Sequence, residues 1–333
     1  MSPWSGVADT LSDRIAAWID AALEGSAGPE PWEALALDIF RYQAERDPVL
    51  ASLAERPVTT WTEIPAMPVG LFKDLPVGTV APGEGVVSFQ TSGTTGGGRG
   101  VHRLRSTALI DRAAWGWATQ VIGEIPTRIV ALLEDPATAP DSSLSHMIGS
   151  FPGTKSWCLR SGELAPRFDL GQDPVFLPAT AFAAAAWLAT DPGQPPAGSV
   201  AMITGGFKGR VHTLDERTLL SALLDLGWRV VREYGMTELS SQLWATESGP
   251  FRPPPWLVVR AADPATGDLL PPGQLGQLRF WDLANLDGSL AIETLDGGGV
   301  EADGSVWLHG RLPGAAVRGC SLTVEEAWAR RTP

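Results

Sequence analysis

Residues 89–106, FQTSGTTGGGRGVHRLRS, carry the densest set of chemically useful groups in the chain. Five glycines and five Ser, Thr or Gln side chains fall in the first twelve positions, and three arginines and a histidine follow within positions 99–105. Glycines let successive backbone N–H groups converge on an anion without obstruction, and hydroxyls add further donors. The stretch suits a polyphosphate, although a lone run of this kind also fits a flexible surface loop. It lacks the closing Gly-Lys-Ser/Thr of the Walker loop, and it is not the dinucleotide fingerprint with its strand, helix and distant acid. His102, just past the loop, is placed either to touch phosphate or to cap the following helix. The two cysteines have no metal-ligand spacing. Cys158, in KSWCLRS, reads as a core strand residue, whereas Cys320, in RGCSL, has Arg318 nearby to favour a thiolate and Glu325 and Glu326 to oppose it.

Three kinds of segment must position these groups. Residues 8–24 and 32–46 have helical spacing, with Leu35, Ile39 and Tyr42 on one face and prolines at the segment ends. From about 86 to 235, apolar runs (VVSF, RIVALL, SVAMIT, WRVV) alternate with helical stretches at 108–122, 180–190 and 215–227, the pattern of parallel strands joined by crossover helices. After Pro253-Pro254-Pro255, short runs (WLVVR, GQLRFW, SVWLH) separated by turn residues suggest a small antiparallel sheet or barrel. The fourteen tryptophans read mainly as core, and the alanine-rich AFAAAAWLA reads as a close-packing helix rather than an acyl channel.

At 333 residues, 44% hydrophobic and 19% charged, the chain can bury a large core. Its net charge of −13 repels nucleic acid and anionic membranes, so neither is expected as a partner. No apolar run is long enough to span a bilayer and no signal peptide is visible, so a cytoplasmic location is expected.

TSGTTG at 91–96 matches the phosphate-loop signature of the adenylate-forming superfamily, which includes acyl-CoA synthetases, luciferases and phenylacetate-CoA ligases. The usual continuation ends in Pro and Lys, where this chain has Gly97, Gly98 and Arg99. Three further segments resemble superfamily motifs in the expected order: ITGGFKGR at 203–210, REYGMTELSS at 232–241 and AIETLDGGGVEADGSVWLHGR at 291–311. Within the superfamily the chain most resembles the acyl-protein synthetase (LuxE-type) family of bacterial bioluminescence, through WTEIPAMPVGLFKD (61–74), DSSLSHMIG (141–149) and GRLPGAAVRGCSLTVEE (310–326) as well.

The resemblance implies an α/β fold. It is the large domain of adenylate-forming enzymes, with parallel sheets and crossover helices, plus a small β subdomain, and with the mobile C-terminal domain truncated or absent. The implied division is a helical lead-in at 1–85, a nucleotide-binding core at 86–252, a small β subdomain at 253–311 and a short C-terminal segment at 312–333. The implied reaction uses ATP and Mg²⁺ to convert a small carboxylic acid to an acyl-adenylate, after which a thiol takes the acyl group. Thr91, Ser92, Gly93, Thr94, Thr95, Gly96 and Arg99 would hold phosphates. Thr237 would contact the α-phosphate, and Glu238 would hold the metal, as a carboxylate beside ATP phosphates should. Gly205 and Gly206 would border adenine, and Tyr234 and Gly235 would belong to the nucleotide-binding set. Asp296 would accept both ribose hydroxyls, with Arg311 near the ribose or phosphates. His146 would lie near the acyl carboxylate, or serve only as a capped structural histidine.

The superfamily's C-terminal catalytic lysine has no counterpart, since none of the 22 residues after Arg311 is lysine. Of the three lysines, Lys73, Lys155 and Lys208, the last is the candidate substitute, against a reading as a solvated loop residue; Arg103, Arg105 and Arg210 could share that work. The family's own acyl acceptor is a cysteine near the C-terminus, a place that Cys320 fills. CoA, a carrier protein or a partner reductase are the alternative acceptors. An acyl-CoA or aryl-CoA ligase and an inactive nucleotide-binding relative are the competing functions.

Overall fold

A computed structural model describes residues 5–54, 56–85, 87–91, 98–164, 168–205 and 215–312. In chain order the elements are α1 (Ser5–Leu23), α2 (Trp32–Ala44), α3 (Pro48–Leu53), β1 (Met67–Pro68), α4 (Leu71–Asp74), β2 (Val87–Gln90), β3 (Val101–Leu104) and α5 (Ala108–Ile122). They continue with β4 (Arg128–Glu134), α6 (Ser143–Ser150), β5 (Thr154–Arg160), β6 (Glu163–Leu164), β7 (Phe176–Thr180), α7 (Ala181–Leu188), β8 (Val200–Thr204), α8 (Glu216–Asp225) and β9 (Arg229–Tyr234). Last come β10 (Leu243–Thr246), β11 (Leu257–Ala262), β12 (Leu275–Asp282), β13 (Ala291–Val300) and β14 (Val306–Arg311). The five helices read from apolar spacing all form, within a few residues of the expected ends.

The chain divides into two compact units. The first contains the described residues of 1–114, 236–241 and 253–312. Its helix α1 buries Leu11, Ile15 and Ile19 at helical spacing, and α2 buries Leu35, Ala36, Ile39 and Phe40. Asp47 starts α3 by accepting the backbone N–H groups of Val49 and Leu50. The sheet of this unit runs β1-β13-β12-β11, with β14 also on β13. All its pairs are antiparallel except β1 with β13. An antiparallel sheet follows Pro253-Pro254-Pro255, as the turn-rich pattern there indicates.

The second unit contains the described residues of 115–235 and 242–252. Its seven strands lie in the order β10-β9-β8-β7-β4-β5-β6. The five strands from β9 to β5 are parallel, and β10 and β6 pair antiparallel at the two edges. β8 is buried at every position, the signature of a strand covered on both faces. Ala181, Ala183, Ala184 and Trp187 of α7 pack into the core beside Cys158 and Trp228, so the alanines there do give close helix packing. Trp244, Trp256 and Trp281 are fully buried, and Trp307 is exposed.

One strand departs from expectation. The run at 86–89 reads in sequence as one of the parallel strands, but β2 pairs antiparallel with β3 in a separate hairpin, with Phe89 opposite His102. The connection from Thr91 to Gly100 is too short for a crossover helix, so the chain must return antiparallel. Among the described residues no helix is long and apolar enough to cross a membrane.

Candidate active site

Thr91 and Gly100, at the two ends of the glycine-rich segment, form a closed neck beyond the β2–β3 hairpin. Thr91 N–H donates to the Gly100 carbonyl at 2.9 Å, and Gly100 N–H donates to Thr91 Oγ1 at 2.9 Å. A Cβ on Gly100 would come within 3.2 Å of Phe72 Cβ and Thr91 Cγ2, so glycine suits this close approach. Arg99 is exposed beside the neck. Ser92, Gly93, Thr94, Thr95 and Gly96 lie outside the described residues.

His102 does neither of the things its position suggested. Its ring is buried, and Nδ1 lies 2.7 Å from the backbone carbonyl oxygen of Thr237. A carbonyl can only accept, so Nδ1 carries the proton. Burial pushes the imidazole pKa down, against the opposing pull of the Thr237 carbonyl, Asp287 and Asn285. The ring is therefore neutral.

The segment Met236–Ser241 is held at further points in the same unit, one of them the bond from Trp256 Nε1 to Ser241 Oγ at 2.9 Å. Asn285 Nδ2 donates to the Glu238 carbonyl at 2.9 Å, and Ser240 Oγ contacts Asn285 Oδ1 at 3.0 Å. Asp282 accepts Ser240 N–H at 3.1 Å and Ser241 Oγ–H at 2.8 Å. Burial pushes the Asp282 carboxyl up to about 6, despite the bonds from Ser241, Ala284 and Ser240. Thr237 is half-buried, and Glu238 is 8% exposed.

The loop that supplies these groups is itself pinned from α2. Gln43 Nε2 donates to the carbonyls of Asn285 (2.8 Å) and Leu286 (3.1 Å), and Gln43 Oε1 accepts Leu290 N–H at 2.8 Å. Gln43 was not singled out in the sequence, yet a signal existed: it lies on the same buried stripe as Ile39 and Phe40. Arg105 is committed to Asp287, which accepts its backbone N–H and its Nε, both at 2.7 Å. It is therefore not the free substitute charge considered above.

Asp296 and Arg311 stand directly opposite each other on β13 and β14, with Nε and Oδ1 3.8 Å apart. Arg311 is exposed and Asp296 half-buried.

In the second unit, β8 and β9 are adjacent parallel strands whose C-terminal ends bring Thr204 and Glu233 together; Thr204 Oγ1 donates to Glu233 Oε2. Burial pushes the Glu233 carboxyl up to about 7, against that bond. Gly205 ends β8 with φ +68°, a left-handed conformation that favours glycine. Tyr234 meets the Phe251 ring edge-on. His146 is half-buried in α6, whose N-terminus Ser142 caps. Cys158 is buried in β5, and burial pushes its thiol up to about 11, which fits a core residue and not a nucleophile. Gly206, Lys208, Arg210 and Cys320 lie outside the described residues, and Arg103 is half-exposed on β3.

The chain has the fold of the large domain of adenylate-forming enzymes. Among solved structures it is similar to ATP-bound MatB from Rhodopseudomonas palustris, with 17% identity, 68% of this chain and 48% of that chain covered, and a TM-score of 0.50. It is also similar to the O-succinylbenzoate coenzyme A synthetase MenE from Bacillus subtilis in complex with ATP and magnesium ion, with 17% identity, 67% and 49% covered, and a TM-score of 0.48. At these identities the likeness establishes the fold alone. The chain spans about half the length of the solved structures it matches. No family model and no curated protein matches it.

Proposed function

We propose that this chain activates a small carboxylic acid with ATP, giving an acyl-adenylate and pyrophosphate, and passes the acyl group to a thiol as AMP leaves. The observation that carries the reading is the 2.7 Å bond from His102 to the Thr237 carbonyl. It joins the strand leaving the glycine-rich loop to the segment holding Thr237 and Glu238, the two places that a nucleotide triphosphate would have to share.

The residues present fit that ligand. Thr91 and Gly100 are bonded to each other at the two ends of the glycine-rich segment, whose Thr91, Ser92, Thr94, Thr95, glycines and Arg99 bind phosphate oxygens. Among the described residues no cluster of three or more His, Cys, Asp or Glu could cage a metal. Magnesium fits as an ion held by Glu238 and the phosphates, since it commonly takes one or two carboxylates plus phosphate oxygens and keeps several waters. Bound there, it would neutralise charge developing on the phosphates. Thr237 contacts the α-phosphate, Asp296 the ribose hydroxyls and Arg311 the ribose or phosphates. Gly205 and Gly206 border the adenine, Tyr234 and Gly235 belong to the nucleotide site, His146 orients the acid, and Lys208 supplies the cation that the family's C-terminal lysine supplies elsewhere. The acyl-protein synthetase reading adds Cys320, in the 312–333 segment, as the acyl acceptor. MatB in its ATP-bound form is consistent with the nucleotide.

The test is carboxylate-dependent exchange of labelled pyrophosphate into ATP, screened over fatty, aryl and amino acids. No exchange with any acid would leave a silent nucleotide-binding relative. With an active acid in hand, Cys320→Ser should keep exchange and lose covalent acyl labelling of the chain. Unchanged thioester formation on CoA in that variant would make it a CoA ligase instead.

A further inference from the structure

Two consecutive carbonyls, those of Thr237 and Glu238, are each gripped by a buried side chain from a distant part of the first unit: His102 at 2.7 Å and Asn285 at 2.9 Å. We infer that His102 and Asn285 are positioning residues, which fix the two peptide planes and so the directions in which Thr237 and Glu238 present their side chains. The catalytic consequence rests on the proposed roles of Thr237 and Glu238. The structural consequence rests on geometry alone.

His102 occupies a position that an apolar residue would fill. It shares the buried face of β3 with Leu104, stands opposite buried Phe89, and meets Phe72 edge-on. Burying an imidazole there is unfavourable unless its polar atoms are satisfied; the Thr237 carbonyl satisfies Nδ1, which leaves Nε2 buried with no hydrogen-bond partner among the described residues. The neighbourhood is shaped around the ring, since a Cβ on Gly288 would lie 2.7 Å from His102 Nε2 and from Asn285 Oδ1. Asn285 is equally constrained. Its Nδ2 also donates to the Ser289 carbonyl at 2.7 Å, and its own carbonyl is held by Gln43. Because β3 is the strand by which the chain leaves the glycine-rich loop, displacement of that exit is transmitted through His102 to the Thr237 carbonyl.

The test compares His102→Asn, His102→Gln and His102→Leu in the full chain. The amide nitrogen of Asn reaches the place of Nδ1, whereas that of Gln reaches the place of Nε2. In the protein without nucleotide, hydrogen exchange of the amides at 238–241 should speed up about tenfold in the Leu and Gln variants, the loss expected of one buried hydrogen bond. The Asn variant should stay within about threefold of the parent chain, and the amides of β12 and β13 should not change in any variant. In pyrophosphate exchange, kcat should fall about tenfold in His102→Gln at constant KM for the acid, and His102→Asn should recover most of it. Equal exchange rates at 238–241 in all variants, or acceleration spread evenly over the unit, overturns the inference. A parent chain without pyrophosphate exchange sinks the proposed function, while the amide rates still decide the role of His102. If His102→Leu does not fold, the Asn and Gln variants, one methylene apart, carry the comparison.

Discussion

A Cβ on Gly235 would lie 2.4 Å from Oε1 of Glu233, so the carboxyl group two residues back occupies the space a side chain would need. Gly235→Ala must push the Glu233 side chain away from Thr204 or shift the backbone. Overpacking of this kind costs about 1–3 kcal/mol, and urea denaturation should show it. Adding Glu233→Ala should return part of the loss, a coupling that a double-mutant cycle measures. Full stability of Gly235→Ala would contradict the close approach.

Glu233 also predicts a pH dependence of folding. Its folded pKa of about 7 lies above the ordinary 4.5, so between these values the folded state binds more protons than the unfolded chain. Its contribution to stability is therefore fully present below about 4.5 and is lost as pH rises through 7. Asp282, raised from 3.8 to about 6, acts in the same direction over its own window. Relative to Glu233→Gln, the parent chain should lose roughly 2–4 kcal/mol between pH 4.5 and 7.5. A constant difference across that range would exclude the raised pKa.

Gln43 makes three hydrogen bonds to the 285–290 loop from a fully buried position. Gln43→Leu keeps the bulk and orphans two carbonyls and an N–H, at a cost of about 2–5 kcal/mol. Denaturant melts should show that loss, and pyrophosphate exchange should fall with it because Asn285 is released. A change under about 0.5 kcal/mol would mean that the loop holds itself.

Glu238→Gln retains the backbone carbonyl that Asn285 grips and, at nearly the same volume, replaces the carboxylate by a neutral amide. Pyrophosphate exchange should drop on the order of 100-fold, with unfolding midpoints close to those of the parent chain. Retained magnesium-dependent exchange would move the metal to another carboxylate.

Cys158 should resist thiol reagents in the folded chain. It is buried, and its thiol is pushed up to about 11, so little thiolate exists at neutral pH. Mass spectrometry after brief native alkylation should find Cys158 unmodified, and alkylation in denaturant should label it. Labelling of Cys158 in the folded chain at the denatured rate would show that β5 opens readily.

Local information accounted for most of the elements. The buried stripe of α2, the fully buried β8, the alanines of α7 and the core position of Cys158 all follow from residue type and spacing over one or two turns or a single strand. The pairing of β2 was misread because a four-residue apolar run has the same appearance in a parallel sheet and in a hairpin. His102 was misread for a related reason. Its neighbours suggested phosphate or a helix cap, and nothing nearby points to a carbonyl 135 residues away.

The sequence by itself determined which segments become helix or strand, where glycine is required, and which residues have the chemistry to meet a nucleotide. These depend on backbone sterics and on periodic burial, which act between near neighbours. Tertiary structure alone decided that Arg105 is taken by Asp287, that Gln43 reaches across 242 residues of chain to Asn285, and that Asn285 holds Glu238. Such pairings are selected by the need to satisfy each buried polar group in a packed interior, and that need arises only once the distant segments have been brought together.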